Sequence, residues 1–189
     1  MAVEYLVMNN ADDTPDGMRF IDEIGILHSQ QTLTMSTDFI WRTFQQIDLV
    51  DRKEVARVSL FIDNMDGVAY TSNNEIHVSA KYLGGLSGDV KGEFTGVLYH
   101  EMTHGIADFV RLLSGYVPGH WVQPGHGDRW DQGYDVTARF LDYCDGLRNG
   151  FVAELNKKMK TGFSDNYFVD LLAKTVDQLW SEYKAAYAN

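Results

Sequence analysis

Gly96-Val97-Leu98-Tyr99-His100-Glu101-Met102-Thr103-His104 sets two imidazoles four residues apart, with a carboxylate directly after the first. On a helix, positions i and i+4 share a face, so both rings reach a single ion while Glu101 points toward the same open side. His100 and His104 are thus candidate zinc ligands. Glu101 is the candidate general base, able to take a proton from a water whose pKa the metal lowers to about 7 and to return it to a leaving amine. That is the chemistry of peptide hydrolysis. The flanking sequence predicts one helix over 92–114, with Phe94, Leu98, Met102 and Phe109 on an apolar stripe and the polar triplet displaced from it.

A hydrolytic zinc site needs a third protein ligand, and Gly105-Ile106-Ala107-Asp108 follows the second histidine directly. Asp108 is the nearest carboxylate. Along a straight helix it lies ~12 Å of rise from His100, too far for a short side chain to share an ion with that ring. A break at Gly105 relieves the distance, because glycine turns there at little steric cost. Asp108 is therefore a candidate third ligand or a carboxylate that orients one of the imidazoles, with a solvated helix residue as the plain alternative. His120 and His126 lie in an irregular loop that could fold back over the helix. His77 alternates with Ile76 and Val78, so it leaves the opposite strand face, either half exposed or lining a groove. Arg129 and Tyr134 can each donate a hydrogen bond to an oxyanion, or tie their loop to the helices.

Working outward, the 189 residues carry 16 basic and 27 acidic side chains, a formal net charge of −11, and 44% are hydrophobic. That size and apolar content suit one well-buried core, and residues 1–189 read as a single domain. No run of Lys or Arg interrupts the acidity, which argues against nucleic acid or an anionic membrane as partner. No apolar stretch approaches the ~20 residues of a membrane span, and Met1-Ala2-Val3-Glu4-Tyr5 lacks the basic start and apolar run of a signal peptide. The single cysteine, Cys144, sits in a helical pattern as a small buried hydrophobe.

Val3, Tyr5 and Val7 alternate as a short strand. Arg19 to Gln46 reads as helix, broken near Gly25. Between Ala56 and Ser79, three short strands emerge, carrying Val58, Leu60 and Ile62, then Val68 and Tyr70, then Ile76 and Val78. Asp63-Asn64-Met65-Asp66-Gly67 joins the first two as a hairpin turn, or as an acidic loop able to hold calcium. Residues 116–133 are rich in Gly, Pro, His and Trp and read as an ordered irregular loop, with Trp121, Trp130 and Tyr134 packing it. Further helices follow to the end. Strands early and helices late predict an α+β fold, a small mostly antiparallel or mixed sheet packed by several helices.

Taken together, Gly96 to Asp108, His120-Trp121-Val122 and above all Arg129-Trp130-Asp131-Gln132-Gly133-Tyr134-Asp135-Val136-Thr137-Ala138-Arg139-Phe140-Leu141-Asp142-Tyr143 closely resemble the plant basic secretory protein family, zinc metallopeptidases of plants and bacteria. Asn73 to Ser79 and Val176-Asp177-Gln178-Leu179-Trp180 extend the likeness over nearly the whole chain. The resemblance implies a zincin-like α+β domain, Zn2+ held by His100 and His104, Glu101 as general base, peptide or protein substrates, secretion to the plant apoplast and a role in defence. It also marks departures. This chain is acidic, and relatives carry a Trp- and Gly-rich segment between the second histidine and Gly-Ile-Ala-Asp, ending in a glutamate that would be the third zinc ligand. Here His104 itself precedes Gly105. The alternative expectation is a shortened, non-catalytic or impaired member that acts by binding.

Overall fold

The computed structural model describes residues 3–103 and 106–188. Alternating apolar residues give β1 (Glu4–Asn9), β2 (Arg57–Asp63), β3 (Ala69–Ser72) and β4 (Glu75–Ser79). They form one 4-stranded sheet in the order β1-β2-β4-β3. The pairs β1–β2 and β2–β4 are parallel, and only β3–β4 is antiparallel, so the sheet is mixed.

The turn at 64–67 therefore does not close a hairpin. β4 returns to the side of β2, leaving β3 outside as the edge. The hairpin is the next turn, where Asn73 and Asn74 take φ values of 51° and 64°. Asparagine tolerates that left-handed region, which a two-residue turn between antiparallel strands requires. The carboxylates of the first turn are engaged: Asp63 with His77 at 2.6 Å and with the Asn10 amide at 2.8 Å, Asp66 with Lys81 at 2.8 Å.

One face of the sheet carries Val7, Val58, Leu60, Ile62, Ile76 and Val78, all buried. Packed on it are α1 (Pro15–Glu23), α2 (Ile26–Thr43), α3 (Ala80–Gly85) and α4 (Val90–Glu101). The helical stretch expected over 19–46 is broken where expected, giving α1 and α2, and Gly25 at φ 81° makes the corner between the two helices. The opposite sheet face is open, with Met8 and Tyr70 exposed.

A second apolar cluster is purely helical. It joins α5 (Ala107–Ser114), α6 (Tyr134–Leu147), α7 (Phe151–Lys158), α8 (Asn166–Leu172) and α9 (Val176–Ala186) around Phe109, Phe140, Phe151, Phe168 and Tyr183. Cys144 is fully buried within it, and burial pushes its thiol well above the ordinary range. A mixed sheet with helices on one face and a helical half beside it is an α+β fold. No described helix is long and apolar enough to cross a membrane.

Candidate active site

The helix expected over 92–114 is also two, and the break falls inside the histidine motif. α4 ends at Glu101; Met102 still donates to the Leu98 carbonyl at 3.0 Å, but Thr103 donates to His100 at 3.1 Å, a tighter three-residue step. The last carbonyls of a helix have no partner within it, and here the sheet supplies one. Thr71 of β3 directs its hydroxyl at both the Glu101 carbonyl, 3.1 Å away, and the Glu101 carboxylate, 2.7 Å away. Edge strand and helix end thus hold the candidate base from two sides. Sequence reasoning missed Thr71, because nothing local to a four-residue strand tells which distant helix end it meets.

His104 and Gly105 lie outside the described residues, so the second expected ligand and the expected glycine break carry no structural description. The chain resumes at Ile106, and α5 brings Asp108 back toward α4. The Asp108 carboxylate accepts from Nδ1 of His100 at 2.9 Å. Eight residues that one straight helix would separate are in contact because the helix is interrupted. Asp108 sits in the first turn of α5, where the helix dipole favours its charge, and His100 sits in the last turn of α4. The hydrogen bond that His100 donates to Asp108 is the main cause that raises the His100 pKa above its ordinary value, against desolvation.

A glycine permits this approach. A Cβ on Gly96, in the middle of α4, would lie 2.7 Å from the Tyr116 carbonyl oxygen and 2.8 Å from the Arg111 guanidinium. Arg111 donates to that carbonyl at 3.0 Å and pairs with Glu93 of α4 at 3.2 Å, fastening α5 alongside.

The remaining candidates are placed elsewhere. His120 and His126 are exposed. Arg129 has a side chain 73% exposed and is paired with Asp131 at 2.8 Å, and Tyr134 is 75% exposed. Neither Arg129 nor Tyr134 lines the cavity beside Glu101. Their loop is ordered as expected, but through its backbone: Val122 donates to Asp135 at 2.6 Å, Gly125 to the Tyr183 hydroxyl at 2.7 Å, and the Gly127 carbonyl accepts from Lys184 at 2.9 Å. Trp121 is buried, and Trp130 packs on Phe140 and Phe168.

Among the described residues, no group of three or more side chains is arranged to hold a metal ion. The donor chemistry at His100 nevertheless suits zinc. A carboxylate on Nδ1 fixes the ring and leaves Nε2 as the lone-pair donor, the usual support of a metal-binding histidine. No described group is hydrogen-bonded to that Nε2.

The family model described as "Peptidase of plants and bacteria" matches residues 1–183. A protein named "Basic secretory protease" from Boswellia serrata is 55% identical over 58 residues, covering 31% of this chain and 66% of its own length, just under two thirds. No solved structure matches the chain.

Proposed function

The chain belongs to the family of peptidases of plants and bacteria, and from that premise we propose that it is a zinc metallopeptidase, secreted and acting in plant defence, that hydrolyses peptide bonds with Glu101 as general base. Family membership supports protein or peptide as the substrate, and the name of the Boswellia relative supports secretion. The observation that carries the metal reading is the Asp108 carboxylate on Nδ1 of His100. His100, through Nε2, and His104 would hold the ion.

Zinc bound there would polarise the scissile carbonyl and lower the pKa of the attacking water. The chain's own residues do the rest. Glu101 receives the proton of that water and passes it to the leaving amine, so the carboxylate must stay aimed while its charge changes. Thr71 aims it. Because β3 is the sheet edge and its backbone bonds no described segment but β4 and the two turns beside it, an extended peptide can add along it. Main-chain hydrogen bonds would then set the scissile bond against Glu101.

Purified protein should contain stoichiometric zinc and show proteolysis that a chelator removes and zinc restores, with Glu101→Gln inactive. Proteolysis untouched by the chelator would overturn the proposal. A second reading, a member that keeps the fold and binds without cleaving, is favoured by one observation: Asp108 is committed to His100, and no set of three metal-ligating side chains comes together among the described residues. Zinc retained without turnover would select it.

A further inference from the structure

The two apolar clusters do not close on each other completely. Where they meet, at the end of α4, there is a cavity of about 480 Å³ whose walls include Glu101, Met102 and Thr103. Its walls are mixed: Trp41, Phe44, Val58 and Ile76 are apolar, and Gln46, Asn73, Asn74 and Asn156 are polar. Phe44 belongs to the helical cluster, and Val58 and Ile76 to the sheet cluster, so the cavity lies on the seam. Lys53 and Glu101 are the charged residues of its described walls, and Lys53 is exposed at the mouth. An ionised side chain entering there would lose water, with Lys53 and Glu101 as the charged wall residues to meet it. An apolar one would gain by leaving water, roughly in proportion to the area it buries. An engineered apolar cavity of ~150 Å³ accommodates benzene. This one is about three times larger, enough for a phenylalanine, tryptophan or leucine side chain with part of its backbone.

We propose that this cavity is the subsite for a large apolar side chain of a peptide, so that the protein selects peptides carrying an aromatic or long aliphatic residue next to the bond presented to Glu101. This rests on the peptidase reading for its occupant, but on the cavity and its walls for its chemistry. Glu101 ties the two together, because one residue is both the candidate base and part of the wall.

Binding tests it without turnover. Two fluorescein-labelled hexapeptides, identical except for Phe or Ala at one central position, are titrated by anisotropy into the Glu101→Gln protein. The Phe peptide is expected to bind tighter by on the order of 10-fold or more, the gain from burying one such side chain. Val55→Trp and Asn156→Trp, each in the Glu101→Gln background, fill the cavity from different elements. Either, if folded by circular dichroism, should reduce the ratio to near one. Equal affinity for the two peptides before filling overturns the proposal, as does discrimination that survives both folded fillers. Wild-type protein that cleaves neither peptide, while the Phe preference and its loss on filling persist, defeats the peptidase reading and leaves the subsite standing.

Discussion

Two histidine–aspartate pairs occur among the described residues, and one of them borders a candidate site. His77 meets Asp63 across adjacent strands at 2.6 Å, and His100 meets Asp108 across the helix break at 2.9 Å. Both contacts run through Nδ1. Shelter does not separate them: side-chain exposures are 19% and 23% for the first pair, 33% and 18% for the second. The surroundings do. The His77 ring is stacked between Phe61 and Tyr70, with centroids 5.0 and 4.6 Å away, and its Nε2 lies 4.0 Å from Glu75. His100 stands beside Glu101, a residue of the cavity wall. A carboxylate on one ring nitrogen only orients the ring; what the other nitrogen faces decides whether the orientation has a use.

The largest effect expected from breaking this contrast is at the base. Glu101→Gln should lower kcat for peptide hydrolysis by about 10²- to 10⁴-fold, the usual worth of a positioned general base, while His77→Gln leaves kcat unchanged in the same assay. Next, Asp108→Asn should weaken zinc binding by about 10- to 100-fold in a competitive chelator titration. Asp63→Asn, the matching change at the other pair, should leave zinc affinity alone. Equal losses from both would mean that the two pairs do not differ in function. Thr71→Val keeps the shape and removes the hydroxyl. It should reduce kcat several-fold with little change in KM, and lower stability by about 1 kcal/mol, the net value of a typical hydrogen bond. Smallest is Tyr70→Ala, which removes one side of the His77 stack at a cost of about 0.5–1.5 kcal/mol in denaturant unfolding, with zinc affinity intact.

Local sequence carried much of this. Alternation in β1, β2 and β4, the corner at Gly25 and the Asn73-Asn74 turn were legible because each is set by a few neighbouring residues and the conformations they tolerate. Reading 92–114 as one helix failed because the apolar stripe continues in phase through Phe109, whereas α4 ends at Glu101, where the Thr71 hydroxyl of the distant edge strand meets its last carbonyl. Asp63 to Gly67 read as a hairpin since its residues suit a tight turn, yet strand order is decided by which strands cover the apolar face, and that placed β4 between β2 and β3. Asp108 was legible as a carboxylate able to orient one of the two imidazoles, and the contact with His100 is that arrangement; which ring it meets depends on the break. The cavity was not legible, being walled by segments from both halves of the chain.

Gly96 has a consequence for how this protein tolerates change. In the middle of a helix, glycine costs roughly 0.5–1 kcal/mol relative to alanine, so a search for stabilising substitutions would choose this position early. The added methyl would press on the Tyr116 carbonyl and the Arg111 guanidinium, and the force would pass to the helix that carries Asp108. A residue with no side chain thereby sets how far apart α4 and α5 stand, and a variant selected for heat resistance alone would shift Asp108 relative to His100 without replacing a single polar side chain.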